Sequence, residues 1–231
     1  MAGLSGWFRE EREKLRGLSP RSAAEYIWDY YKLWIIGIVS FVSLAVFLTY
    51  RIATNIPDTW VVILFVNTRA ELGNQSELWQ GYVEKTGYDL TEKRVEFQDQ
   101  SYFDYTVNQA RGNTYYELFT ALVDAGQLDA VTMPPEALTA LGQSGRLKDL
   151  DREECRVLRE RWGDRLLYSL PYDTSYSQEP VPVGIDVSDS LLLSRYHAYP
   201  AEDGCALGIG ANSEHLDAVE AFLEYIFQEV E

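Results

Sequence analysis

The chain is predicted to be an α/β protein: N-terminal helices that include one transmembrane helix, then a single open α/β lobe with a mostly parallel sheet. Three observations predict this. Leu33–Tyr50, LWIIGIVSFVSLAVFLTY, holds 18 residues without a charged side chain. From Thr59 to Gly145, apolar β-rich runs alternate with helical patterns in the order β-α-β-α-β-α, the signature of parallel strands joined by helical crossovers. The chain then closes on HLDAVEAFLEYIFQEV, where Leu216, Val219, Phe222, Leu223 and Ile226 repeat at helical spacing.

Residues 1–32 form a cytoplasmic or interfacial helical arm. Trp7, Phe8, Leu15 and Leu18 fall on one face, with Glu10 four residues before Lys14. Ser19-Pro20 is a helix restart, a serine cap followed by proline at the first helical position. The next helix runs into the span at 33–52. At ~1.5 Å per residue, 18 residues cover ~27 Å, close to the hydrocarbon thickness of a bilayer. A cleavable signal starts nearer the terminus, so a retained span is expected. Tyr26, Trp28, Tyr30, Tyr31 and Trp34 crowd one end and Tyr50 and Trp60 the other, as an aromatic belt would. Lys14, Arg16, Arg21 and Lys32 precede the span, whereas only Arg51 and Arg69 follow within 20 residues. That bias places the N-terminus in the cytoplasm and the C-terminal domain outside a cell membrane crossed once. A tether, 53–58, leads to the extracytoplasmic domain, 59–231.

TWVVILFVN, Thr59–Asn67, is a strand buried on both faces. SELWQGYVEKTG is a helix with Ser76 as N-cap and Gly87 as stop. TEKRVEFQ is a second strand, YYELFTALVDAG a helix closed by Gly126, and LDAVTM a third strand. Pro135 starts the next helix. DREECRVLRERWG is a charged helix with Cys155, Leu158 and Trp162 on its apolar face. RLLYSL, PVPVGIDVS and CALGIG are further strand candidates.

The net charge of -16, from 20 basic and 36 acidic residues, excludes nucleic acid as a partner. The two cysteines, Cys155 and Cys205, lack metal spacing, and a disulfide between them is an option only if the domain is exported. With two histidines, His197 and His215, no His-based metal site is expected, and no cofactor or metal is expected. No G-x-S-x-G, H-E-x-x-H or S-x-x-K occurs, so no catalytic residue is nominated and the chain is read as no enzyme. GIGANS, Gly208–Ser213, lacks the third glycine of a dinucleotide loop and reads as a turn plus a helix cap from Asn212 or Ser213.

Two stretches carry a resemblance. LDAVTMPPEALTALGQSGRLKDLD and CALGIGANSEHLDAVEAFLEYIF, in that order, resemble segments of bacterial extracellular solute-binding proteins, and TWVVILFVN fits that family's first unit. YIWDYYKLWIIG resembles small single-span bacterial membrane proteins that carry such a domain outside. The resemblance implies a solute-binding-like lobe, but the second lobe that would close on a ligand looks deleted. Ligands of open α/β sheets sit beyond the carboxyl ends of the strands. That rule makes Asn67, Thr68, Arg69, Asp99, Tyr102, Thr132 and Met133 candidate ligand-binding residues, with Tyr172, Asp173 and Tyr176 from the loop PYDTSYSQE. Two functions stay open: binding of a small solute or peptide, or structural docking to a membrane protein partner. Both keep the lipid bilayer as a partner.

Overall fold

The computed structural model describes residues 18–55, 58–105, 112–170 and 179–228. The arm positions Trp7, Phe8 and Leu15 and the loop candidates Tyr172, Asp173 and Tyr176 lie outside the described residues. The chain forms two compact units, divided between Pro57 and Asp58.

The first unit contains helix α1, Pro20–Asn55, of 36 residues. Ser19 opens it: its carbonyl accepts from Ala23 N at 2.9 Å and its hydroxyl from Ser22 N at 3.3 Å. Among the described residues it is the one helix long and apolar enough to cross a membrane. Its apolar side chains are exposed, Leu33, Trp34 and Phe41 each by more than 70%. A helix this apolar on all sides has the surface that hydrocarbon would solvate. Thr49 Oγ1 returns its proton to Ala45 O at 2.8 Å, so this hydroxyl is satisfied within the helix.

The second unit is built on a six-stranded sheet in the order β2-β1-β3-β6-β5-β4. The strands are β1 (Thr59–Val66), β2 (Arg94–Ser101), β3 (Ala130–Met133), β4 (Leu166–Ser169), β5 (Val181–Asp186) and β6 (Ala206–Ile209). The helices are α2 (Glu77–Thr86), α3 (Thr114–Asp124), α4 (Pro135–Gly142), α5 (Arg156–Trp162), α6 (Leu191–Arg195) and α7 (Leu216–Ile226). The α/β class holds, but the mostly parallel sheet does not. β1 pairs parallel with β2 and β3, while β3–β6, β6–β5 and β5–β4 are antiparallel. The parallel pairs are those made by the crossovers through α2 and α3. After α4 the chain makes β4 and β5 as an antiparallel pair, and β6 enters between β3 and β5 running against both. An apolar run buried on both faces is equally suited to either direction, so composition could not reveal the reversal.

β1 has the buried alternation that a central strand needs. Val61, Ile63 and Phe65 join one core and Val62, Leu64 and Val66 the other. The first core holds α2 and α7 against the sheet. There Tyr82 lies 5.5 Å from Phe222 and 5.6 Å from Phe97, ring centre to ring centre, and Phe222 lies 5.6 Å from Phe97. These tilted and edge-on rings add aromatic contacts to the burial of their area. Tyr82 donates its hydroxyl to Ala218 O at 2.9 Å, which satisfies the polar end of a fully buried ring. The second core holds α3 and α4 through Phe119, Val123, Leu138 and Leu141. α4 sits close on the sheet because Gly184 and Gly208 lack side chains; a Cβ there would stand 2.4 and 2.9 Å from the Leu138 methyls.

Local signals explain the helix boundaries. Ser76 Oγ accepts from Trp79 N at 3.1 Å, and Gly87 ends α2 in the left-handed region at φ 67°. Asn113 caps α3, and Gly126 follows its end at φ 67°. Cys155 and Leu158 are buried as expected for the apolar face around α5. The cap expected at GIGANS is different. Asn212 turns its amide to Val123 O and Asp124 O, at 3.2 and 3.4 Å, and so closes the end of α3. α7 begins later, at Leu216, with His215 in the cap position.

Phe222 touches three other core aromatics, so Phe222→Ala is expected to lower domain stability by ~3–5 kcal/mol. Urea unfolding of the full chain in neutral detergent, followed by near-ultraviolet circular dichroism, reads this as a lower midpoint.

Candidate functional site

β1 is followed through α2 by β2 on one side, and β2 is followed through α3 by β3 on the other. The order therefore reverses between β1 and β3. The space beyond their carboxyl ends is where an open α/β sheet offers a ligand site.

That space is taken by the chain itself. α6 ends in a turn in which His197 N donates to Ser194 O at 3.0 Å and Ala198 N to Leu193 O at 3.0 Å. These two bonds form a Schellman closure, and His197 occupies its left-handed position at φ 51° where glycine is usual. The turn carries residues 198–200 across the strand ends. Tyr199 Oη donates toward Val66 O at 3.0 Å and Thr132 O at 2.8 Å, and Thr132 Oγ1 lies 3.1 Å away. The single phenolic proton serves two carbonyls, which leaves the Thr132 hydroxyl as donor to the phenol oxygen. Burial pushes the Tyr199 phenol well above the ordinary tyrosine range, and the neighbouring Cys205 adds to the shift. Beside it, Thr68, only 1% exposed, donates Oγ1 to Ala198 O at 2.7 Å and accepts from Ala70 N at 3.1 Å.

The candidate residues divide accordingly. Thr68 and Thr132 are at the strand ends, but their hydroxyls are spent on the plug. Met133 is 1% exposed and belongs to the core. Asn67, at φ 61°, exchanges two side-chain bonds with the Phe103 backbone, Nδ2 to O at 2.8 Å and Phe103 N to Oδ1 at 3.1 Å. It fastens the end of β1 to the chain leaving β2. Asp99 Oδ2 accepts from Leu72 N at 2.7 Å and Gly73 N at 2.8 Å, holding the loop after β1. Arg69 is exposed. Tyr102 is exposed and meets Tyr115 edge-on at 5.9 Å.

Two residues that organise the domain carried no sequence signal. Tyr199 sits in RYHAYP, where nothing in spacing marks it. Asp129, at the opposite end of the sheet, is 1% exposed. Its Oδ2 accepts from Val62 N at 2.8 Å, and its Oδ1 accepts from Ser213 Oγ at 2.7 Å and lies 3.1 Å from His215 Nδ1. Serine, histidine and aspartate meet here, but the serine proton is given to the aspartate rather than to the imidazole. A nucleophile needs the reverse wiring, with the imidazole taking the serine proton. The trio braces β1, β3 and the start of α7.

The Cys155–Cys205 bond does not form: both residues are buried free thiols. Cys205 immediately precedes β6, its N donating to Ser188 Oγ at 3.0 Å, whereas Cys155 lies in the single helical turn that leads into α5. Burial pushes both thiols above the ordinary cysteine value. Among the described residues no three His, Cys, Asp or Glu side chains are placed to hold a metal ion.

Removing the Tyr199 hydroxyl leaves carbonyls at two strand ends without their donor, so Tyr199→Phe is expected to cost ~1–3 kcal/mol. The pH dependence has a defined sign. A phenol whose folded pKa is raised contributes stability that is intact below the unfolded value, about 10, and is lost as pH rises toward the folded value. Tyr225, pushed up to about 12 mainly by burial, acts in the same direction. Stability of the wild type should therefore fall steadily above pH ~10, and Tyr199→Phe should flatten that fall. Urea midpoints from pH 8 to 11 check both effects. No protein-family model matches the chain, and no curated protein or solved structure matches it significantly either.

Proposed function

We propose that this chain is a single-pass membrane protein whose α/β domain stands outside the membrane and works as a non-catalytic docking subunit of a membrane assembly. In this reading the N-terminus is cytoplasmic, and the domain is a one-lobed relative of extracellular solute-binding proteins that has given up its solute. The observation that carries it is the Tyr199 plug. A solute at the reversal between β1 and β3 would have to displace a hydroxyl that serves Val66 O and Thr132 O. It would also have to break the Thr68–Ala198 bond. The cost of leaving such buried groups unpaired, ~1–3 kcal/mol each, counts against affinity for any small solute there.

The membrane part of the reading is supported by α1. Trp28, Tyr30 and Trp34 are exposed toward its beginning and Tyr50 toward its end, where rings would meet headgroups. Arg21 and Lys32 lie before the apolar run, as a cytoplasmic start requires. The acidity of the chain disfavours attraction of the domain to anionic lipid and leaves protein contact as the route to partners.

The test is a thermal-shift screen of the full chain in neutral detergent against sugars, amino acids and short neutral peptides at millimolar concentration. A ligand at a hundred times its Kd would add ~2.7 kcal/mol, a rise of several degrees for a domain of this size. No shift is expected from any of them, while mild crosslinking in intact membranes yields a stoichiometric complex with another membrane protein. A saturable shift that Thr68→Val abolishes would restore solute binding. In whole cells, external protease is expected to remove a C-terminal epitope and spare an N-terminal one.

A further inference from the structure

We infer that the C-terminal half of edge strand β2 is the docking surface for a basic, extended segment of a partner protein, which adds to the sheet beside β2. This rests on the docking reading above and names the partner's chemistry. β2 ends the sheet on one side, so among the described residues its outer backbone has no neighbouring strand, the arrangement that invites another chain to pair. Among the described residues, the side-chain bonds that cover the outer backbone of this edge lie in its first half. Trp79 Nε1 donates to Val95 O at 3.0 Å, and Asn74 Oδ1 accepts from Phe97 N at 2.8 Å. Beyond Phe97, residues 98–101 of the strand border a groove of about 840 Å³, with the Ser101 carbonyl already taken by Asn67 N at 2.8 Å. At ~3.3 Å per residue, that length of strand matches a partner segment of about four residues.

The groove specifies its occupant by charge. Among the described residues the charged side chains that line it are Glu71, Glu77 and Asp99, the last with one carboxylate oxygen held by Leu72 N and Gly73 N, and no lysine or arginine. Its apolar side is supplied by α3, where Tyr115 and Leu118 are 42% and 48% exposed. Alternate side chains of an added strand point to opposite faces, so one set can reach the carboxylates while the other rests on Tyr115 and Leu118. A second copy of this chain fits poorly, because it would bring the same three carboxylates against themselves. An anionic lipid surface fits poorly for the same reason of sign.

The probe is a fluorescent (Lys-Val)4 peptide, with (Glu-Val)4 as its control, titrated into the full chain in neutral detergent and read by anisotropy. Saturable binding of the lysine peptide is expected, at least tenfold tighter than the glutamate peptide and weakened by raising salt. Glu71→Lys combined with Glu77→Gln, and separately Leu118→Asp, should each weaken it at least tenfold while leaving the urea midpoint close to wild type. No binding of the lysine peptide, equal binding by both folded variants, or peptide-independent dimerisation through β2 would overturn the inference. The crosslinked membrane complex separates the two levels. If wild type forms it and both groove variants form it equally, the groove is the wrong surface and docking stands. If wild type forms none, the docking reading fails and takes this inference with it.

Discussion

One phenolic oxygen and the ends of two parallel strands decide what this domain can do. Tyr199 meets Val66 O, Thr132 O and Thr132 Oγ1 at the point where the sheet reverses its order. Backbone carbonyls beyond a strand end need donors, and in a ligand-binding sheet a bound molecule or water supplies them. Here a side chain does so permanently. The bend that delivers it is formed by His197, a β-carbon residue in a left-handed position. Such a position costs about 1 kcal/mol or more, so the surrounding contacts must hold it in place. Thr68 does so from one side through Ala198 O. The plug, the bend and the two threonines therefore form one unit.

At the other end of the sheet Asp129 performs the matching task. It ties Val62 N, Ser213 and His215 together and joins the reversed strand β6 to the parallel pair. Its own carbonyl accepts from Gly210 N at 3.0 Å. With both ends satisfied internally, the surfaces left for function are the edges and faces. Acidity then sets what they attract. Residues after the first 32 hold all of the excess negative charge of the chain. A negatively charged surface repels anionic groups and attracts basic ones over roughly a Debye length.

Much of this was legible in the residues. The uncharged run before Tyr50, the doubly buried β1, the serine cap at Ser76 and the glycine stop at Gly87 each express a local rule, and each stands where the rule puts it. The faces of α5 and α7 were legible for the same reason, since Leu158, Phe222 and Ile226 follow helical periodicity. Strand direction was not, because Ala206–Ile209 is buried on both faces and no local pattern distinguishes parallel from antiparallel neighbours. The candidate site was legible only as a place. Asn67, Thr68 and Thr132 do stand at the strand ends, yet their partners, Phe103, Ala198 and Tyr199, are 36, 130 and 67 residues away in sequence. Contacts of that span depend on the whole topology, including the reversal at β6 that local patterns could not reveal.

The most direct measurement is the ionisation of Tyr199 itself. The full chain, labelled with 13C at the tyrosine Cζ and held in deuterated neutral detergent, gives a resonance that Tyr199→Phe identifies by its loss. If the hydroxyl is locked between β1 and β3, that resonance is expected to keep its neutral-phenol position through and beyond pH ~10, where solvated tyrosines titrate, until the domain unfolds. A Tyr199 signal that titrates near 10 in the folded domain would contradict a closed crevice, and with it the case against a solute at the strand ends.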